Sequence, residues 1–116
     1  MVHATIRMII SPKKPGEALR ILRSMAEQCK GHSGCLGCHI YEEAQEDNVL
    51  IFEEMWRNEE NLAQRLRSEE YLDVLLVMEM ALKHPEVRFN TVSTSTGIET
   101  IEMARSSKDQ SGHAGG

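Results

Sequence analysis

Residues 34–56, GCLGCHIYEEAQEDNVLIFEEMW, constrain this chain more than any other stretch. Two apolar runs flank Gln45, Glu46, Asp47 and Asn48, residue types that bond their own backbone and tolerate tight bends. Before the turn, Leu36, Cys38 and Ile40 alternate with Gly37, His39 and Tyr41; after it, Val49, Ile51 and Met55 alternate with Leu50, Phe52 and Trp56. A period of two with β-branched and aromatic enrichment predicts a hairpin. Its second strand is apolar on both faces, so it reads as buried on both. Glu53 and Glu54 then fall one on each face, and at least one of these carboxylates needs a partner or a cavity.

The remaining elements arrange themselves around that hairpin. Val2, Ala4, Ile6, Met8 and Ile10 alternate with His3, Thr5, Arg7 and Ile9, which predicts a first strand. A loop follows to Gly16, with Pro15 suited to the first turn of a helix. Ala18, Leu22, Met25 and Cys29 then recur at helical spacing, and Gly31 supplies the stop just after Lys30. Beyond the hairpin, Asn58 reads as an N-cap, with Glu59 and Glu60 favouring the helix dipole and Leu62 and Leu66 as the buried edge. A second helix, roughly residues 69–83, is apolar around much of its girth through Leu72, Val74, Leu75, Leu76, Val77, Met78 and Leu82. It is expected to be covered on more than one side, by its own sheet and by another subunit.

His84-Pro85 ends that helix, and Val87, Phe89 and Thr91 predict a fourth strand. Capping-box spacing from Thr96 to Glu99 predicts a short helix near residues 97–104, with a fifth strand as its rival. The order β-α-β-β-α-β is that of an α+β, ferredoxin-like sandwich with an antiparallel sheet. One domain is expected over residues 1–105, followed by a Ser/Gly-rich tail, 106–116, expected to be disordered. Every strand carries apolar residues on both faces, so a homodimer packing its sheets face to face, a dimeric α+β barrel, is the simplest arrangement.

Composition narrows the function classes. Thirteen basic against eighteen acidic residues give a net charge of −5, which argues against nucleic acid as a partner. The N-terminus lacks the pattern of a signal peptide, and no apolar run approaches the roughly 20 residues of a membrane span. A cytoplasmic protein is the expectation, with its three cysteines, Cys29, Cys35 and Cys38, reduced.

The sequence also resembles the antibiotic-biosynthesis monooxygenase-like domains over about residues 3–104, nearly the whole chain. The residues carrying the likeness are Pro15-Gly16, Gly34-Cys35-Leu36-Gly37, Glu54-x-Trp56, Leu62, Ser68-x-x-Tyr71, Thr91-Val92 and Thr96-Gly97-Ile98-Glu99. Each motif is short; their order and spacing carry the match. The resemblance implies a homodimer, a cavity between sheet and helices, and cofactor-independent oxygenation of a quinol or polyphenol by molecular oxygen. Many members place a histidine about where this chain has Arg65, and the haem-degrading branch places a haem-ligating histidine about where it has Leu75. The haem-degrading branch also places a tryptophan at the Arg65 position, and the absence of both that tryptophan and the histidine points away from haem degradation.

Among candidate site residues, His39 and Tyr41 share a strand face and offer a base near neutral pH and a phenol donor. His39, Tyr41 and Arg65 are the expected catalytic groups, with His39 as base and the other two polarising the substrate. Trp56, Phe52, Arg7 and Glu54 are the expected substrate-binding residues. Arg7 and Glu54 lie on strands that neighbour each other in this fold, which makes a buried ion pair between them an alternative role.

Cys35-Leu36-Gly37-Cys38-His39 matches the c-type haem attachment pattern, but attachment needs an exported context. A regular strand would also send Cys35 and Cys38 to opposite faces, which opposes both haem c and a zinc site from Cys29, His32, Cys35 and Cys38. No metal and no cofactor are therefore expected. The rival to a small monooxygenase is a non-catalytic dimeric domain that binds a small aromatic ligand.

Overall fold

Asn48 turns the chain back on itself at φ 61°, a left-handed conformation that asparagine tolerates better than other residues with a Cβ. The hairpin expected around it forms, and its neighbours follow in the expected order. A computed structural model describes residues 1–13 and 15–111. The elements are β1 (Val2–Ile9), α1 (Pro15–Cys29), β2 (Cys35–Glu42), β3 (Val49–Trp56), α2 (Glu59–Arg67), α3 (Tyr71–Glu79), β4 (Glu86–Thr91) and α4 (Ile98–Ser111). All strand pairs are antiparallel in one four-stranded sheet of order β2-β3-β1-β4. This is the ferredoxin-like α+β fold, with β1 and β3 at the centre of the sheet.

Register decides what each face holds. Val2, Ala4, Ile6 and Met8 of β1 stand opposite Trp56, Glu54, Phe52 and Leu50 of β3. Those eight residues form the buried face beneath the helices. α1 lays Ala18, Leu22, Met25 and Cys29 on this face, all fully buried. It has no basic residue in its last turn, so packing holds it in place: each buried Leu or Met contributes about 1.5–3 kcal/mol. The opposite face carries His3, Thr5, Arg7 and Ile9 of β1 with Ile51, Glu53 and Met55 of β3, all half-buried. No helix covers this second face among the described residues.

Four departures from the sequence expectations have physical causes. First, β2 shifts register between Cys35 and Gly37, with Leu36 as the extra residue. Cys35 pairs with Trp56 and Cys38 with Glu54, so a β-bulge brings both cysteines to the same, helix-covered face. Second, Leu66 is exposed and Leu62 alone buries α2's aliphatic edge, beside Arg65. Third, α3 buries Tyr71, Val74 and Val77 and leaves Leu72, Leu75 and Leu76 exposed within the single chain. Fourth, the expected C-terminal helix forms but runs to Ser111, past the expected end near 104. The rest of the tail expected to be disordered, 112–116, lies outside the described residues.

The fold is elongated, 56 × 34 × 21 Å. Its radius of gyration of 18.3 Å exceeds the roughly 13 Å of a compact chain of this length. Apolar residues of β4 and α4 stay uncovered: Phe89 is 48% exposed, and Val87, Ile98, Ile101 and Met103 are likewise exposed. Among the described residues no helix is long and apolar enough to cross a membrane.

The left-handed turn residue sets a test of the hairpin. Asn48→Val is expected to lower the unfolding free energy by about 1–2 kcal/mol, the cost of a left-handed conformation for a β-branched residue. Asn48→Gly, free of that strain, is expected to cost much less in the same urea titration. Equal losses in both variants would place the cost outside the backbone.

Candidate functional site

Glu54 sits where a carboxylate is costly. Its strand position faces the helices, opposite Ala4 on one side and Cys38 on the other, and it is 3% exposed. A buried charge needs a counter-charge and hydrogen bonds. Arg65 of α2, with its side chain fully enclosed, supplies both: Nε donates to Glu54 Oε2 at 3.1 Å and Nη2 donates to the same oxygen at 2.9 Å. Trp56 Nε1 donates to Glu54 Oε1 at 3.1 Å. Arg65 Nη1 reaches Glu70 Oε2 at 3.4 Å, and the guanidinium lies 5.6 Å from the Tyr71 ring centre. Burial alone pushes the Arg65 pKa down, but the bonds and charge of Glu54 outweigh it and hold the group charged. Burial and the Glu54 charge push the Tyr71 phenol up to about 12, partly offset by Arg65.

Local capping puts Arg65 there. Asn58 caps α2 by accepting from the Asn61 amide at 2.8 Å, which sets the helix phase directly after β3. At the other end the Ser68 hydroxyl donates to the Arg65 carbonyl at 2.7 Å and accepts from the Tyr71 amide at 3.3 Å. That one side chain closes α2 and opens α3, which brings Arg65 and Tyr71 together.

Beside the ion pair lies a cleft of about 130 Å³ lined by His32, Ser33, Gly34, Trp56, Asn61, Gln64 and Arg65. His32 stands between α1 and β2, its loop fixed by backbone bonds from His32 to Cys29 and from Cys35 to His32, both 3.0 Å. Its Nε2 is 3.0 Å from Glu70 Oε2, and its ring meets Trp56 edge-on at 6.1 Å. With the Nε2 proton directed to Glu70, Nδ1 is left as an acceptor. Gly34 is required for close approach here: a Cβ on it would collide with the Asn61 side chain. A larger groove of about 290 Å³ at the turn end of the hairpin is lined by Glu42, Glu43, Glu46 and Asp47 among aliphatic residues, a setting that repels an anionic ligand.

The residues expected from the sequence separate onto the two faces of the sheet. Arg65, Trp56, Phe52 and Glu54 gather on the helix side, with Phe52 in the core. His39, Tyr41 and Arg7 lie on the other face. His39 is 53% exposed with Nδ1 3.4 Å from Glu53, Tyr41 donates to the same carboxylate at 3.3 Å, and the two rings stack at 6.1 Å. His3 Nε2 completes that cluster at 2.8 Å. Burial raises the Glu53 pKa, but the His3 hydrogen bond and charge, with Tyr41 and His39, outweigh it and hold the carboxyl below its ordinary value. Arg7 bonds Glu46 at 3.0 Å, so the buried partner of Glu54 is Arg65 and not Arg7. Strand parity accounts for the split, since Arg7 pairs with Ile51 and Ala4 with Glu54. His32 and Glu70 were missed as cleft residues because they are 38 positions apart and no local pattern joins them.

Residues 1–75 match the model of the family described as antibiotic biosynthesis monooxygenase. Among curated proteins, an uncharacterized Synechocystis protein is 33% identical over 49 residues, covering 42% of this chain and 33% of its own length. A Methanosarcina mazei protein of solved structure superposes with a TM-score of 0.72 at 23% identity, covering 77% of this chain and 89% of that one. A Deinococcus radiodurans protein, whose assignment as an antibiotic biosynthesis monooxygenase is itself provisional, gives 0.76 at 14% identity over 84% and 98%. Rv0793 of Mycobacterium tuberculosis gives 0.72 at 23% over 83% and 98%. At these identities the structural likeness shows the fold.

The ion pair can be tested by uncoupling its charges. Glu54→Gln leaves a buried guanidinium without its counter-charge and is expected to cost about 3–5 kcal/mol in urea unfolding. Glu54→Gln combined with Arg65→Met removes both charges and keeps an acceptor for Trp56, and is expected to recover most of that loss. A double variant no more stable than Glu54→Gln alone would show that the pair is not the source of the cost.

Proposed function

The chain belongs to the antibiotic biosynthesis monooxygenase family, and on that premise we propose that it oxygenates a small phenol or hydroquinone in the cleft beside Arg65, without a cofactor. The observation that carries this reading is the convergence of Arg65, Trp56 and the His32–Glu70 pair on one cleft. A phenol needs a base, a cation for its phenolate and an apolar wall for its ring. His32 Nδ1 takes the phenolic proton while Glu70 orients the imidazole. Three Arg65 N–H groups are engaged by Glu54 and Glu70, and the enclosed guanidinium stabilises the phenolate by its positive charge from behind the cleft wall. Trp56 supplies the wall. The cleft falls well below the roughly 300–1,000 Å³ of drug-sized pockets, which favours a single-ring substrate.

The electrons then come from the substrate. The phenolate passes electron density to oxygen, one oxygen atom replaces a ring hydrogen, and the other leaves as water. Phenol plus O2 gives quinone plus water, with all four electrons drawn from the ring. His39 and Tyr41, on the far face of the sheet, take no part in this scheme.

Oxygen uptake with a panel of hydroquinones tests the assignment. Wild-type uptake above autoxidation is expected to fall by about 10²-fold or more in His32→Ala, at the lower end of what a general base contributes. His39→Ala is expected to retain it. Loss in His39→Ala with retention in His32→Ala would move the chemistry to the other face. No uptake with any quinol, together with saturable quenching of Trp56 fluorescence, would favour the aromatic-binding domain.

We further propose that the working unit is a homodimer. Supporting this are the uncovered second face of the sheet and the exposed Leu72, Leu75, Phe89, Ile98 and Ile101, more apolar surface than a monomer usually leaves wet. Light scattering is expected to give twice the 13.1 kDa chain mass, and a monomer at micromolar concentration would overturn the proposal.

A further inference from the structure

Three thiols meet behind the cleft, and no part of the oxygenation scheme uses them. Cys29 ends α1, Cys35 opens β2, and Cys38 follows the bulge at Leu36. Cys29 and Cys38 are buried and Cys35 is half-buried. Cys29 Sγ lies 3.1 Å from Cys35 Sγ. Cys29 Sγ, Cys38 Sγ and a Glu54 carboxylate oxygen all lie within 4.8 Å of one another. Without the bulge Cys35 would face the opposite side of the sheet, and the group would not assemble.

We propose that Cys29, Cys35 and Cys38, with Glu54 Oε1 at the edge, bind one thiophilic closed-shell cation of the zinc and cadmium class. The donor set is three sulfurs and one carboxylate oxygen, which suits a tetrahedral site. Zn–S bonds of about 2.3 Å place tetrahedral sulfurs roughly 3.8 Å apart. The Cys29–Cys35 contact therefore has to widen; Cys29, Cys38 and Glu54 already lie within 4.8 Å of one another, and Cys35, in contact with Cys29, has to turn toward that group to complete the set. Glu54 Oε1 accepts one hydrogen bond, from Trp56, and a carboxylate oxygen has a second lone pair to offer. Binding exchanges three S–H bonds for three S–metal bonds; the three protons go to water and no electron moves.

Charge argues the same way. The interior already holds a balanced pair, Glu54 and Arg65. Three thiolates alone would add three uncompensated charges, whereas three thiolates with a divalent cation add a net charge of only −1, next to the Arg65 guanidinium. The neutral thiols are correspondingly stable without metal: the bond with Cys38 and burial push Cys29 up, and burial with the Cys29 contact pushes Cys35 to about 11. A Cys29–Cys35 disulfide would use two sulfurs and leave Cys38 and the open Glu54 lone pair without a role. Cys35, the half-buried member, gives a cation its way in.

The test is a titration of the reduced, chelator-stripped full chain with Cd²⁺ under anaerobic conditions, read by sulfur-to-cadmium charge-transfer absorption and native mass spectrometry. One ion per chain is expected, with the band displaced by Zn²⁺. Cys38→Ser and Cys35→Ser are each expected to weaken binding by more than about tenfold, the lower end of the cost of losing even an outer-shell partner. Circular dichroism checks that each variant folds. If Cys38→Ser does not fold, the wild-type band and the half-buried Cys35→Ser variant decide. Absence of a charge-transfer band in the reduced protein would overturn the proposal. So would equal bands in wild type and Cys35→Ser, or a Cys29–Cys35 disulfide as the sole thiol chemistry observed.

Discussion

A single buried carboxylate organises the helix side of this sheet. Glu54 occupies a position where its neighbours along the strand face are Phe52 and Trp56, and it is almost wholly buried. Left alone there it would be an unpaired buried charge, which costs several kcal/mol. Arg65 removes that conflict, but only from one place: α2 must begin directly after β3 and hold the phase its Asn58 cap sets. The ion pair thus ties a helix orientation to a strand register. Trp56, Tyr71 and Glu70 each touch that pair, and the cleft between α2 and the His32 loop follows from the same constraint.

The backbone of this arrangement was legible in the sequence because it rests on local rules. Alternation marked all four strands, the Asn58 cap and the Pro85 stop marked helix ends, and the order of elements led to the sheet order. Where local rules ran out, the reading did too. A bulge of one residue at Leu36 reverses the face of everything before it in β2, and nothing in Cys-Leu-Gly-Cys announces a break in alternation. Glu54 was correctly marked as needing a partner, yet the choice between Arg7 and Arg65 depends on which face each occupies in three dimensions. Arg7 has the parity of Ile51 and Arg65 reaches down from a helix, so only one can meet Glu54.

Candidate chemistry was harder to read for a related reason. His39 and Tyr41 looked like a pair because they are two residues apart on a strand, and they are indeed neighbours, stacked and joined through Glu53. Proximity of side chains is cheap along a strand; enclosure is not. Among the described residues no helix lies over their face, whereas His32, in a loop with no periodicity, is carried to Trp56 and Glu70 by tertiary packing alone. A base also works better where a cation waits for the anion it makes, and the charged Arg65 lines the same cleft as His32.

The cleft and the thiol cluster lie on either side of the same carboxylate. Glu54 touches both: Oε2 accepts from Arg65, Oε1 accepts from Trp56, and one carboxylate oxygen lies within 4.8 Å of the Cys29 and Cys38 sulfurs. A cation on the sulfur side that drew on Oε1 would weaken the Trp56 bond without disturbing the two Arg65 bonds on Oε2. The indole wall of the cleft would loosen while its cationic floor stayed in place. Glu54 thus joins the ion pair, the Trp56 indole and the thiol cluster on one side chain.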